Sequence, residues 1–255
     1  MNDWNPAQYL KFSDDRTRPA VELLGRVRLV SPGHIVDLGC GPGNSTELLK
    51  QRWPGASILG VDKSPDMLDS ARKAHPGWVW EEADIASWMP EQRFDLIFSN
   101  AALHWLPRHE ILLPRLMNQL AGGGILAVQM PRNFQAPAHR LIRQTATTGP
   151  WRGILASVEE WNAPLEPAEY YAMLAPHGSA LDIWETEYAQ VMDSAAAIAE
   201  WMKGSALRPF LDRLDETSQG EFLACYTEAL RAAYPPQPDG RILFPFKRMF
   251  LVAQR

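Results

Sequence analysis

Short apolar runs alternate with helical patterns through the first half of the chain. The runs predict strands near residues 34–38, 57–61, 78–82, 94–99 and 124–130, and helical patterns begin after Gly43, after Ser64-Pro65 and near His109. Ser64 is a favourable N-cap and Pro65 a favourable first helical residue. Strands that alternate with helices in this way are typical of βαβ units and a parallel sheet. The pattern therefore predicts a doubly wound α/β core.

The pattern changes after Met130-Pro131. Residues 132–166 contain prolines without clean alternation, so we expect loops or short helices there. Two later strands are predicted near 181–188 and 244–252, and residues 194–234 between them are strongly helical in pattern. A helical insertion of this size is expected to form a lid over the carboxyl ends of the strands, where open α/β sheets bind ligands.

Composition narrows the class of protein. The 255 residues are enough to bury a full hydrophobic core, and the net charge of -5 argues against a non-specific nucleic-acid binder. The two cysteines, Cys40 and Cys225, are too few for a disulfide framework and match a reducing compartment. The beginning of the chain lacks the layout of a signal peptide, and no run approaches the roughly 18 apolar residues of a membrane span. We therefore expect a cytoplasmic protein that binds a small molecule rather than nucleic acid or a membrane.

A glycine-rich turn follows the first predicted strand. Gly39, Gly41 and Gly43 alternate along the chain, with Asp37 just before them, and Asp62 ends the second strand. Glycines let the backbone approach a ligand without a Cβ in the way, and a carboxylate one strand later can hold a ribose diol. This spacing differs from the G-x-G-x-x-G pattern that places a pyrophosphate at a helix N-terminus. The turn therefore predicts a nucleotide-sized pocket for a ligand without phosphates, although such a turn can also serve chain reversal alone.

Together these segments resemble motif I and the following strands of the class I S-adenosylmethionine-dependent methyltransferases. The resemblance implies a Rossmann-like, mostly parallel seven-stranded sheet in which the turn lies under the amino-acid part of the cofactor and Asp62 takes both ribose hydroxyls. It also implies that Asp84 accepts the adenine amino group, that Ile85 packs on the ring and that Asn100 faces the cofactor. Asp84 could equally be an ordinary solvent-exposed carboxylate in a turn. The cofactor-binding residues implied in this way are Asp37, Gly39, Gly41, Gly43, Asn44, Asp62, Lys63, Met67, Asp84, Ile85 and Asn100.

The same resemblance implies one methyltransferase domain over residues 1–255. Its parts are N-terminal capping helices over 1–30, a cofactor-binding core over 31–131, and substrate-lid insertions over 132–166 and 190–242. S-adenosylmethionine is the implied cofactor, S-adenosylhomocysteine its product, and no metal is expected, since no metal-ligand spacing occurs.

Resemblance along nearly the whole chain, including both ends, extends to methyltransferases that esterify a small polycarboxylate. Arginine forks suit carboxylate recognition, and the implied substrate-binding residues are Arg208, Arg18, Arg248, Tyr9 and Trp105. A carboxylate with a pKa near 4 is ionised at pH 7 and attacks a methyl group without a general base. We therefore expect no catalytic residue beyond positioning, and we favour packing over a base role for His104.

Several alternatives stay open at this point. The acceptor could be another small carboxylate, a malonyl thioester or a phenol, and a phenol would ordinarily need a base. The chain could also bind S-adenosylmethionine without catalysis, and a dehydrogenase is a third possibility that the glycine spacing disfavours. We expect a monomer or a weak homodimer.

Overall fold

The computed structural model describes residues 13–158 and 163–255, so the predicted contact of Tyr9 lies outside the described residues. The chain alternates strands and helices as far as β5 and then adds helices around two long strands. The strands are β1 His34–Leu38, β2 Ser57–Asp62, β3 Val79–Glu82, β4 Phe94–Asn100, β5 Leu120–Pro131, β6 Ala180–Met192 and β7 Ile242–Gln254.

The helices are named in the same way. They are α1 Ser13–Arg26, α2 Asn44–Arg52, α3 Pro65–Ala74, α4 His109–Asn118, α5 Pro137–Thr148, α6 Arg152–Leu155, α7 Pro167–Leu174, α8 Ala195–Lys203, α9 Arg208–Leu211 and α10 Glu216–Ala233, with 3-10 turns at Leu103–Trp105 and Ala175–His177. The predicted start of α3 is confirmed: Ser64 caps it by accepting a bond from the Met67 amide, and Pro65 is its first residue. None of the described helices is long and apolar enough to cross a membrane.

The seven strands form one sheet in the order β3-β2-β1-β4-β5-β7-β6. Strands β1 to β5 pair in parallel, and β7 runs antiparallel to both β5 and β6. The α/β, mostly parallel seven-stranded sheet predicted from the sequence is confirmed. The order of the strands reverses between β1 and β4, and a ligand of an open α/β sheet binds at the carboxyl ends of the strands beside such a reversal.

Some boundaries differ from the prediction. Strand β5 begins at Leu120 rather than 124, because Leu120 pairs with Phe94 before the register shifts to Leu96 and Ile125 across the glycines. Strands β6 and β7 are longer than predicted because they pair over thirteen consecutive positions. Residues 137–148, expected to be loops or short helices, form the twelve-residue helix α5, whose Pro137 occupies the first turn, where proline is tolerated.

Three apolar cores hold these layers together. On one face of the sheet α1 and α2 pack through Leu23 and Leu49 onto residues such as Phe98. On the other face α4 and α7 pack through Leu113 and Tyr170. The third core, which we call the helical cluster, consists of apolar side chains from α5, α6, α8, α9, α10 and the first part of β7.

Strands β6 and β7 connect the helical cluster to the sheet. Pairing of β7 with β5 ends at Arg248, opposite Pro131, whereas pairing with β6 continues to Ile242, opposite Met192. Residues 242–247 therefore form a two-stranded ribbon with β6 beyond the end of β5. Phe244 and Phe246 lie in this ribbon and pack into the helical cluster.

Candidate active site

The glycine turn is fixed by close approaches that exclude side chains. Gly39 has φ +73°, and a Cβ there would lie 2.1 Å from the Ala102 Cβ. Its amide donates to the Val61 carbonyl at 2.7 Å, which holds the turn against β2. Gly41 has φ +56° with no atom within 4 Å of its Cβ position. The turn thus presents bare backbone to open space.

Asp62, the last residue of β2, borders the same open space. Its Oδ2 accepts a hydrogen bond from the Gly41 amide at 2.9 Å, and its Oδ1 accepts one from the Ser64 amide at 2.9 Å. Each carboxylate oxygen has a second lone pair, so Asp62 orders the turn and can still accept bonds from a diol.

A cavity of about 280 Å³ lies over this turn, at the carboxyl ends of β1, β2 and β4. It brings together most of the predicted cofactor-binding residues: Gly39, Gly41, Asp62, Lys63, Met67, Asp84, Ile85 and Asn100. The Asp84 carboxylate accepts from the Ala86 amide at 2.8 Å, and Ile85 is 8% exposed beside it. We call this space the cofactor cavity.

The residues present fit S-adenosylmethionine. The glycine backbone leaves a cradle that a Cβ at Gly39 would disturb. Asn100 Oδ1 is buried without a hydrogen-bond partner among residues 13–158 and 163–255, as expected of an acceptor that meets a ligand. Asp62 and Asp84 outnumber Lys63 among the charged residues of the described lining, so the cavity is net acidic and suits a ligand with a sulfonium and an ammonium group.

Three predicted cofactor-binding residues do not line this cavity. Asp37 is fully buried, and its Oδ2 accepts bonds from the Ser45 and Thr46 hydroxyls, both at 2.7 Å, at the start of α2. Burial raises the pKa of Asp37 to about 6. Gly43 precedes α2 with φ +99°, and Asn44 lines a small cavity between the turn and α1 that shares Gly39, Pro42 and Asn100 with the cofactor cavity. These three predicted residues therefore lie around the turn, outside the lining of the cofactor cavity.

A second cavity, of about 90 Å³, adjoins the first and shares Ala101 and Trp105 with it. It lies between the end of β5, the start of α5 and the helical cluster. Its lining includes Pro131, Asn133, Phe134, His139, Trp201, Met202, Gly204, Ser205, Ala206, Phe246 and Arg248. We call it the acceptor cavity.

Backbone strain marks the boundary of the two cavities. Ala101 has φ +54°, a left-handed conformation that is costly for a residue with a Cβ, and its amide donates to the Gln129 carbonyl at 2.9 Å. The adjacent turn that carries Trp105 is held by His109, whose Nε2 contacts the Leu103 carbonyl at 2.8 Å while Nδ1 contacts the Tyr170 hydroxyl at 2.6 Å. Trp105 is therefore positioned by a buried network.

Arg248 supplies the positive charge of the acceptor cavity. It lies in β7, is 3% exposed, and donates from Nη1 to Gln129 Oε1 at 3.3 Å. Its guanidinium also lies 4.7 Å from the centroid of the Phe246 ring. A charge held at this depth attracts an anion strongly, since the surrounding medium screens it little.

The histidines of the acceptor cavity are neutral. Burial, followed by the charge of Arg248, lowers the pKa of His104 to about 3. Burial and then Arg143 lower the pKa of His139 to about 4. Both are weak bases at pH 7, which agrees with the expectation that His104 is a packing residue rather than a general base.

The other predicted substrate-binding arginines lie off the cavity. Arg208 begins α9, next to the lining residues Ser205 and Ala206 but not among them, and its Nε is 3.5 Å from Asp212 Oδ2. Arg18 forms an ion pair with Glu22 at 2.9 Å, and its guanidinium lies 4.8 Å from the centroid of the Tyr188 ring. Of the four predicted substrate-binding residues that the structure describes, Arg248 and Trp105 line the acceptor cavity and Arg208 and Arg18 do not.

Sequence reasoning missed Asn133, Phe134 and His139. One signal was available, because residues 133–134 follow the carboxyl end of a core strand, where ligands bind in open α/β sheets. The helix that places His139 was obscured by the prolines around it.

Comparison with known proteins agrees with this geometry. The family described as a methyltransferase domain matches residues 35–124. The structure of the YcgJ protein from Bacillus subtilis aligns with a TM-score of 0.60 at 12% identity and covers 93% of this chain and 98% of that one. An S-adenosylmethionine-dependent methyltransferase from Mesorhizobium loti aligns with a TM-score of 0.52 at 22% identity and covers 92% and 96%. Fold and cofactor cavity thus define a class I methyltransferase.

Sequence relatives narrow the class further. The trans-aconitate 2-methyltransferase of Methylobacterium nodulans is 54% identical over 256 residues and covers 100% of this chain and 99% of its own length. The enzyme of the same name from an Azoarcus species is 53% identical over 256 residues and covers 100% of both. The chain belongs to the trans-aconitate 2-methyltransferase family.

Proposed function

We propose that the protein transfers a methyl group from S-adenosylmethionine to a carboxylate of trans-aconitate, giving the monomethyl ester and S-adenosylhomocysteine. The observation that carries this proposal is the pair of adjoining cavities. One presents bare glycine backbone and carboxylates, the other holds the buried Arg248, and they meet at Ala101 and Trp105.

In this proposal the cofactor cavity binds S-adenosylmethionine. Asp62 takes the ribose hydroxyls, Asp84 and Ile85 take the adenine, and the glycine turn with Asn100 takes the amino-acid part. When bound, S-adenosylmethionine supplies a sulfonium methyl group that is open to attack by a carboxylate oxygen.

The protein contributes positioning and exclusion of water. Arg248 would hold a carboxylate of the acceptor, and Trp105, which lines both cavities, would orient the acceptor toward their junction. Apolar walls such as Trp201 and Phe246 keep water out. Orientation and desolvation account for large rate effects where the nucleophile is already ionised. The neutral His104 and His139 agree with a reaction that needs no base.

The residues flanking the acceptor cavity have supporting parts in the proposal. Arg208 lies beside the lining of the cavity, and Arg18 and Tyr9 remain predictions for the N-terminal side. The segment from α8 to α10 covers the cavity as a lid. We also propose that the protein acts in the cytoplasm as a monomer or weak homodimer without nucleic-acid or membrane partners.

The test is incubation with methyl-labelled S-adenosylmethionine and trans-aconitate, cis-aconitate, isocitrate, citrate or a malonyl thioester. Mass spectrometry then follows the label into the product. Base-labile label on trans-aconitate, and little on the other acids, is the expected result. Tight cofactor binding with no label on any acid would contradict the proposal and indicate a binding protein or a different acceptor.

A further inference from the structure

Asn133 is a buried amide whose polar atoms are unpaired among residues 13–158 and 163–255. The residue is 5% exposed, and both Oδ1 and Nδ2 lack a hydrogen-bond partner in those ranges. Exchanging the positions of the amide oxygen and nitrogen would leave both atoms without a hydrogen bond, because neither position has a partner. Unpaired buried polar groups are costly and therefore rare. Asn133 needs a partner from outside the described part of the protein.

The backbone holds Asn133 in this position. The preceding residue, Arg132, donates its amide to the Lys247 carbonyl at 2.9 Å and forms ion pairs with Glu166 and Glu185. On the other side, the Ala136 amide donates to the Asn133 carbonyl at 2.9 Å, just before α5 begins. The backbone of the segment is therefore anchored on both sides of Asn133.

Asn133 stands in the wall between the acceptor cavity and an outer cavity of about 520 Å³. The outer cavity is lined by the cations Arg132 and Lys247 and by the carboxylates Glu166 and Glu187. Arg132 pairs with Glu166 and Lys247 with Glu185, so a carboxylate ligand would compete there with carboxylates of the protein. The acceptor cavity offers the opposite surroundings, with the buried Arg248 and two neutral histidines.

Among residues 13–158 and 163–255, Arg248 is the one lysine or arginine that lines the acceptor cavity, whereas a tricarboxylate has three carboxylates to bind. Arg248 suits one carboxylate, and the carboxylate that reacts must face the junction at Ala101 and Trp105. A third carboxylate needs a hydrogen-bond donor other than Arg248, at a position away from the junction. Asn133 lines the same cavity, and its Nδ2 is a buried donor without a hydrogen-bond partner among residues 13–158 and 163–255.

We propose that Asn133 is a specificity-determining residue that donates from Nδ2 to a carboxylate of the acceptor other than the one that is methylated. The inference rests on the proposed function, and it goes beyond it by assigning recognition of a further carboxyl group to a neutral side chain. A neutral donor favours an acceptor that carries that carboxyl group over one that lacks it, because the unpaired amide remains buried when the group is missing.

The test combines a substitution with removal of single carboxyl groups from the substrate. Itaconate, mesaconate and glutaconate each lack a different carboxyl group of trans-aconitate. Asn133→Leu keeps the approximate volume and removes the donor. We expect KM for trans-aconitate to rise at least about tenfold, with little change for the one dicarboxylate that lacks the partner of Asn133.

Two further variants keep the result interpretable. Asn133→Asp keeps the shape and replaces the donor with an anion, so a loss of trans-aconitate methylation at least as large is expected even if the leucine variant folds poorly. Gln135→Leu makes the same chemical change in a residue that lines the outer cavity only, and its kinetics should match those of the wild type. Cofactor affinity, measured by calorimetry, should be unchanged in all three.

Equal losses for all four acids, or an unchanged KM for trans-aconitate, would overturn the assignment while the wild-type activity stands. An effect of Gln135→Leu equal to that of Asn133→Leu would do the same, since it would indicate a change transmitted through the outer cavity. Wild-type protein that methylates none of the four acids would overturn the proposed function, and the role of Asn133 with it.

Discussion

The two adjoining cavities have opposite electrostatic character. The cofactor cavity carries the carboxylates of Asp62 and Asp84, and its floor is polypeptide backbone. The acceptor cavity carries the buried Arg248, with aromatic and neutral polar side chains around it. A cation placed in the first and an anion placed in the second would lose charge as they react. If each cavity binds one reactant, as proposed, desolvation at the junction would favour their combination.

The largest expected effect comes from the charge of the acceptor cavity. Arg248→Met should lower kcat/KM for trans-aconitate by about 100-fold or more, because loss of one partner of a buried charge pair costs about 2 to 5 kcal/mol. Cofactor affinity should stay the same. Lys247→Met is the control, since this neighbouring cation is 40% exposed and pairs with Glu185. Equal losses in both variants would mean that general surface charge, not the buried arginine, attracts the acceptor.

The floor of the cofactor cavity is tested by a pair of alanine substitutions. Gly39→Ala should cost about 2 to 4 kcal/mol of stability, because it combines left-handed strain with a clash against Ala102. Gly41→Ala meets open space and should cost only about 1 kcal/mol from strain. Denaturant unfolding measures both. Similar costs for the two variants would show that the close approach at Gly39 relaxes easily.

The buried carboxyl of Asp37, beside the cofactor cavity, should make the free energy of unfolding depend on pH. Its pKa is raised to about 6 by burial, so the folded state holds the proton more tightly than the unfolded state does. The stability contributed by Asp37 is therefore greatest below about pH 4 and falls as pH rises through about 6. Relative to Asp37→Asn, the wild type should lose about 2 to 3 kcal/mol between pH 4 and 7. Unfolding curves of the two proteins that stay parallel with pH would contradict this.

The ribose contact proposed for Asp62 should give a slightly smaller effect. Asp62→Ala should weaken S-adenosylmethionine binding by about 10- to 100-fold, the range expected for hydrogen bonds to a charged group. Asp66→Ala removes an exposed carboxylate of α3 that does not line the cofactor cavity and serves as the control. Calorimetry that finds Asp62→Ala no weaker than Asp66→Ala would remove Asp62 from the cofactor site.

The smallest expected effect is that of pH on kcat/KM. Because the acceptor is ionised and both cavity histidines have pKa values of about 3 and 4, kcat/KM should be flat between pH 7 and 9. A rising limb in this range would show that a general base takes part.

Local patterns predicted the cofactor cavity better than the acceptor cavity. The turn at Gly39 and Gly41, the carboxylate of Asp62 and the cap at Ser64 are each determined by a few neighbouring residues. Arg248 and Asn133 meet only because β5 and β7 pair across more than a hundred residues of sequence. An arginine in the sequence does not reveal whether it faces solvent, as Arg18 does, or a cavity. Residues 194–234 were predicted to be helical, but side-chain periodicity does not show how α8, α9 and α10 pack against the rest of the chain.

The ribbon formed by β6 and residues 242–247 has a mechanical consequence. The ribbon leaves the sheet where β5 ends. Arg248 is the first residue of β7, in chain order, that pairs with β5. Any opening of the helical cluster away from the sheet must bend this ribbon near its root, where Arg248 lies. Arg248 therefore lies at the hinge of such a movement. If Arg248 binds a carboxylate of the acceptor, as proposed, the residues at this hinge would control both entry of the acceptor into its cavity and binding of that carboxylate.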